Sequence, residues 1–212
     1  MLFRSRKYCR LFNTSVLLGV TGDKEQMKDS DFEHVYDSDW DRVTSCFWRK
    51  YWHPKCSHSR AFVISRFIDS EGRLVTKRLH AVYQEVPYFI RCIIGNVVSY
   101  AGEESIVDPK TKSLTLRTKN LSMSCVALCD ELCVYTPLAG DSRKTMYRKS
   151  IHVQGWLYGL ANSKVEDWCV DVDKKNRGNG INVMDEIIQG FTQFVLPTNN
   201  HEIGRASCRE RV

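Results

Sequence analysis

The chain has 212 residues, 42% hydrophobic and 26% charged, which suits one globular domain with a sizeable core. It contains no run of 18 apolar residues, so no helical membrane span is read from it. Of the formal charge of +6, residues 1–26 carry +3 and residues 202–212 carry +1, which leaves too little between them to mark a nucleic-acid surface.

The two ends read differently from the middle. The first 22 residues hold no acid, and Arg4, Arg6, Lys7 and Arg10 interleave with Leu2, Phe3, Leu11 and Phe12. Residues 1–26 are therefore an N-terminal extension, fitting either a mitochondrial presequence or non-native sequence upstream of a start at Met27. Residues 27–196 form the domain. Residues 197–212 are a tail, and 202–212 read as a translated sequencing adapter.

Along the domain, Phe32, His34 and Tyr36 alternate as in a short strand. Ser38 and Asp39 offer an N-cap, and Trp40, Val43, Phe47 and Tyr51 follow at helical spacing, predicting an amphipathic helix that ends near Pro54. Ala61–Ile68 and Leu74–Tyr83 form a hairpin around the turn at Asp69, Ser70, Glu71 and Gly72. The stretch 96–135 reads as three strands. Asp108 and Pro109 start a tight turn, and Leu114, Leu116 and Thr118 then alternate with Thr115, Arg117 and Lys119. Val126, Leu128, Leu132 and Val134 continue the pattern, and Thr145–Gly155 is a further strand after a loop at Leu138–Asp141. Ser163 and Glu166 have capping-box spacing. Val165, Trp168, Cys169 and Val172 make one helical face, and Met184, Ile187, Ile188 and Phe191 resume it beyond an interruption at Gly178, Asn179 and Gly180. The sum is an α+β domain with about seven antiparallel strands and a long C-terminal helix.

Nine cysteines build neither a metal set nor a disulfide framework. Cys125, Cys129 and Cys133 recur every four residues, but in a strand pattern with no His nearby and no Cys-x-x-Cys.

Met27 and Lys28, the runs from Glu33 to Tyr36 and from Glu104 to Pro109, Thr118 and Asn120, and the runs from Asp130 to Tyr135 and from Ser163 to Trp168, in this order and spacing, resemble the PRELI domain, the slowmo-like family of mitochondrial intermembrane-space phospholipid-transfer proteins. Met27 and Lys28 followed by Glu33, His34, Val35 and Tyr36 resemble its start. The run from Glu104 to Pro109, then Thr118 and Asn120, is the most specific part. Asp130, Glu131, Leu132, Val134 and Tyr135 add to it, as does the run from Ser163 to Trp168. Two departures stand out. Tyr51, Trp52, His53 and Pro54 replace the family's Tyr-Pro-Asn-Pro, and the last helix is about one turn shorter between Trp168 and Lys174.

The resemblance implies a helix-grip, START-like fold: a curved sheet around the long helix, with an internal lipid cavity. It implies a non-enzymatic carrier of phosphatidic acid or phosphatidylserine between the outer and inner mitochondrial membranes. Such a carrier is bound to a small twin-CX9C helical partner and needs no cofactor, metal or nucleic acid. A phosphate buried in a greasy cavity needs cationic hydrogen-bond donors. Lys50 and His58 match headgroup positions of the family, as do Lys174, Lys175 and Arg177 on the last helix, with Lys175 the best match among these and Asn176 a further polar candidate. Val82 stands where relatives that bind phosphatidic acid have a lysine, which leaves the headgroup open. The segment 86–96 matches the family's lid: Pro87 opens it, and Tyr88, Phe89, Ile90, Arg91, Ile93 and Ile94 supply an apolar, membrane-inserting flap with one cation for an anionic surface. Rival readings are a scaffold that moves no lipid and a hydrolase built on Cys46, His53 or His58. The hydrolase lacks a nucleophile motif such as Gly-x-Ser-x-Gly.

Overall fold

Strict alternation of inward and outward residues lets each strand cover one face and leave the other in water. The computed structural model describes residues 28–56, 59–83, 85–94, 98–157 and 160–195. The expectations for 1–26, His58 and 197–212 lie outside these residues. The elements are β1 (Lys28–Tyr36), α1 (Trp40–Phe47), β2 (Ser59–Ile68), β3 (Leu74–Val82), α2 (Tyr88–Ile94), β4 (Ser99–Asp108), β5 (Ser113–Asn120), β6 (Ala127–Leu138), β7 (Asp141–Gly155) and α3 (Leu160–Val195). All seven strands join one antiparallel sheet in the order β1-β7-β6-β5-β4-β3-β2. The sheet curves around α3, which is the helix-grip arrangement.

Local chemistry sets the turns. Asp39 caps α1 by accepting from Arg42 N at 2.9 Å. Asp69 accepts from the backbone N–H of both Glu71 and Arg73, and Gly72 takes φ +83° to close the β2–β3 hairpin. Asp108 accepts from Lys110 N at 2.8 Å in the β4–β5 turn.

Three sequence expectations change. α1 stops at Phe47, and two short 3-10 turns, Lys50–Trp52 and Pro54–Cys56, carry the chain onward. Ser163 does not cap α3, which begins earlier, at Leu160. Glu166 is instead drawn inward, where its Oε1 accepts from Gly155 N at 3.0 Å and Asn162 Nδ2 at 3.1 Å. Finally, Gly178, Asn179 and Gly180 do not interrupt the helix: α3 runs unbroken for 36 residues. Each glycine costs about 1 kcal/mol in a helix interior. Packing of α3 against α1, β1, β6, β7 and both 3-10 turns outweighs that.

Two apolar plugs lie between α3 and the sheet. One gathers Tyr36, Trp40, Phe47, Leu114, Tyr135, Tyr147, Met184 and Ile188 under α1. The other gathers Ile90, Val126, Ala127 and Val165 under α2. The functional candidate is the space between them.

Candidate functional site

A cavity of about 310 Å3, partly open to solvent, separates the two plugs. Its walls combine apolar groups (Val82, Leu116, Val126, Ile151, Val165, Val172) with an unusual number of charges (Lys50, Glu103, Glu131, Lys149, Asp173, Arg177). The strand parity explains the charges. On β7, Thr145, Tyr147, Lys149, Ile151 and Val153 alternate into the interior, so Lys149 stands in an otherwise mostly apolar series. On β6, Glu131 shares the inward parity of Ala127, Cys129, Cys133 and Tyr135.

Buried charges need partners. Lys149 Nζ lies 2.8 Å from Glu131 Oε2 and 2.6 Å from Asp173 Oδ1, tying β7 to β6 and to α3. Burial works against the charged lysine, but Glu131 and Asp173 outweigh it and raise its pKa. Burial likewise opposes ionised Glu131, yet Lys149 holds that carboxyl below its ordinary range. Asp173 also accepts from Arg177 Nη1 at 3.3 Å, and the Arg177 guanidinium lies 4.1 Å from the centre of the Phe32 ring. Beside this set, Arg78 binds Glu103 through Nε at 2.8 Å and Nη2, and stacks on Phe47, Trp48 and Tyr51. His80 Nε2 lies 3.2 Å from Glu103 Oε2. Burial is offset at Glu103 by His80 and Arg78, and its pKa falls.

Lys50 differs. It enters from the first 3-10 turn, and no carboxylate among the described residues pairs with it. Burial lowers its pKa and Lys149 adds to the effect, outweighing the opposing pull of Cys133 and Glu131. The side chain crosses α3 where that helix has no Cβ: one built on Gly180 would stand 2.9 Å from Lys50 Nζ and 3.1 Å from Lys50 Cε. The glycine that looked like a helix breaker is the gap that admits this ammonium. The cavity thus holds three cations, Lys50, Lys149 and Arg177, against two carboxylates, Glu131 and Asp173, with the Arg78–Glu103 pair balanced. The surplus positive charge resides on Lys50.

The sequence candidates divide accordingly. Lys50, Asn176 and Arg177 line the cavity together. Lys174 and Lys175 are exposed and do not line it, and Lys174 pairs at 3.6 Å with Asp171 across one turn of α3. The helical phase that turns Asp173, Asn176 and Arg177 inward turns these two lysines to solvent. Lys149, Glu131 and Asp173 were not foreseen. For Lys149 a signal was available: a lysine on the apolar parity of a strand.

Helix α2 lies over the far end. Ile90 is fully buried against Val126, Ala127 and Val165, residues that also line the cavity. Pro87 O accepts from Arg91 N at 2.9 Å in the first turn. Tyr88 and Phe89 point outward at 73% and 36% exposure, and Arg91 lies over the Tyr88 ring. Ile93 and Ile94 belong to the helix, with side chains outside the described set. The ends of β3, β4, β5 and β7 bring exposed Tyr83, Tyr100, Leu121 and Trp156 to the same end of the sheet.

Residues 41–193 match the PRELI-like family. The chain belongs to that family. It is 35% identical over 170 residues to "Protein UPS2, mitochondrial" of Saccharomyces cerevisiae, covering 76% of this chain and 74% of that protein. It is 29% identical over 158 residues to "Protein slowmo homolog" of Dictyostelium discoideum, covering 74% and 69%. It is also 29% identical over 138 residues to "PRELI domain-containing protein 1, mitochondrial" of Bos taurus, covering 63% of each. Among solved structures, the Zhui aromatase/cyclase of Streptomyces superposes with a TM-score of 0.54 at 10% identity, covering 79% of this chain and 96% of that one. A protein of Thermus thermophilus superposes at 0.53 and 10% identity, covering 78% and 99%. At such identity these two speak to the fold alone.

Proposed function

We propose that this PRELI-family chain carries one anionic phospholipid, phosphatidic acid or phosphatidylserine, between the outer and inner mitochondrial membranes, within the intermembrane space. The observation that carries the reading is Lys50: an ammonium inside a largely apolar cavity, in salt-bridge contact with no carboxylate among the described residues, while Glu131, the acid that acts on it, is paired with Lys149. An isolated buried cation is costly unless a ligand anion neutralises it. Arg177 and Asn176 stand beside it as further donors. The names of two relatives place those proteins in mitochondria. No bond is made or broken in this account, so the chain acts as a carrier and not as an enzyme, with no cofactor and no nucleic acid.

The cavity sits at the low end of the roughly 300–1,000 Å3 of pockets that enclose drug-sized ligands. It takes a headgroup and glycerol, and two acyl chains need the lid or α3 to move outward. Tyr88, Phe89 and the aromatic rim around α2 supply the chemistry of a membrane interface, with Arg91 for an anionic surface. On the edge strand β2, Phe62, Val63, Ile64, Phe67 and Ile68 are exposed. That apolar strip supports docking of a small twin-CX9C helical partner. Vesicle transfer tests the proposal: fluorescent phosphatidic acid or phosphatidylserine should move from donor to acceptor liposomes, and phosphatidylcholine should not. Equal rates for all three would overturn the anionic assignment, and no transfer of any would favour a scaffold.

A further inference from the structure

β6 and α3 run alongside each other across the cavity in matched steps. Ala127 and Val165 meet in one apolar cluster. Further along both elements, Glu131 of the strand and Asp173 of the helix meet on Lys149. A strand step of two residues covers about 6.8 Å, and four helical residues cover about 6 Å, so the ladder stays in register. The rung between these two is Cys129 and Cys169. Both are half-buried, both pack on the cluster of Ile151, Val153 and Val170, and both line the cavity. The two thiols interact with each other, and that interaction lowers the Cys129 pKa despite its burial and raises that of Cys169. One thiol is thereby favoured as nucleophile and the other as the later, resolving partner.

We propose that Cys129 and Cys169 form a redox-modifiable dithiol that closes to a disulfide across the cavity and locks α3 to the sheet. The oxidant is a low-molecular-weight disulfide. Cys129 thiolate attacks one of its sulfurs, forming a mixed disulfide and expelling one thiolate, which takes up a proton. Cys169 then loses its proton and attacks Cys129 sulfur, forming the intramolecular bond and expelling the second thiol. Two protein thiols and one small disulfide become one protein disulfide and two small thiols. The locking consequence rests on the carrier reading, because outward movement of α3 admits the acyl chains. The disulfide itself does not.

The test treats the purified chain with oxidised glutathione, then maps peptides by mass spectrometry without reduction. The result expected is a Cys129–Cys169 cross-linked peptide, two hydrogens lighter than the sum of its two thiol peptides. Cys129 and Cys169 remaining as thiols while exposed Cys92 and Cys125 are glutathionylated would overturn the site. In a second arm, oxidation should slow vesicle transfer at least fivefold, reversibly with dithiothreitol. A Cys129→Ser variant, which lacks the thiolate that traps the small disulfide, should show no oxidant effect relative to its own reduced rate. Equal slowing in that variant, or a cross-linked wild type that transfers at the reduced rate, would overturn the lock. If the reduced protein transfers no lipid at all, the carrier reading fails, and the cross-linked peptide still decides the dithiol.

Discussion

Two glycines two residues apart on α3 separate fold from function. A Cβ on Gly178 meets nothing within 4 Å, whereas one on Gly180 stands 2.9 Å from Lys50 Nζ, half an ångström inside the 3.4 Å of ordinary contact. Both sit inside the same helix, so Gly→Ala at either gains about 0.8–1 kcal/mol of helix propensity. At 178 that gain should appear whole, as a higher urea midpoint, with lipid transfer unchanged. At 180 the intruding methyl meets the flexible end of Lys50, and the ammonium swings away while the backbone stays. Losing one charge-assisted hydrogen bond to an anionic headgroup costs about 1.5–3 kcal/mol, roughly ten- to a hundredfold in lipid affinity. Gly180→Ala should therefore fold at least as stably as wild type and lose most of its bound lipid. Paired urea unfolding and lipid-binding titrations on the two variants make the comparison. If Gly180→Ala matched Gly178→Ala in both readouts, Lys50 would not need its position and the headgroup reading would be wrong.

Three further outcomes follow from the geometry. Lys149→Met leaves Glu131 and Asp173 facing each other without their shared cation, and breaking a buried pair in this way costs about 3–5 kcal/mol. An unchanged urea midpoint would show that water reaches both carboxylates. Burial holds the Lys50 pKa below 10.5, so anion affinity should fall as pH rises, starting below the ordinary lysine range. A flat affinity up to that range would contradict the desolvated ammonium. At the lid, Ile90→Ala removes a fully buried side chain from the far plug and should loosen α2, read as faster amide exchange there. Tyr88→Ser with Phe89→Ser should leave exchange unchanged and reduce binding to anionic vesicles. The opposite pattern would reverse the two faces of α2.

Acid stability follows from the same pairs. Glu131 and Glu103 have depressed pKa values in the folded chain, so their stabilisation is full above the unfolded carboxylate range and lost as pH falls through the folded values.

The sheet was readable because its signals are local. Period-two alternation in 113–120, the Asp69 and Asp108 turns and the Asp39 cap each depend on neighbours a few residues away. The helical misreadings came from contacts far along the chain. Gly180 answers to Lys50, and Glu166 answers to Gly155. Helix propensity does not register either partner. Family resemblance brought Lys50 and Arg177 to the cavity, but also pointed to Lys174 and Lys175, which the turn of α3 leaves in solvent. Lys149 shows locally only as a lysine on the apolar parity of its strand; its partners Glu131 and Asp173, and the Cys129–Cys169 rung, depend on which strand faces which helix turn, and no short sequence window contains that.

Native mass spectrometry of the purified chain tests the central claim most directly. The wild-type protein and Lys175→Glu should each carry one anionic phospholipid per chain, and Lys50→Met should fold but emerge empty. A wild type without lipid, or a Lys50→Met variant that keeps the same lipid at the same occupancy, would contradict the account.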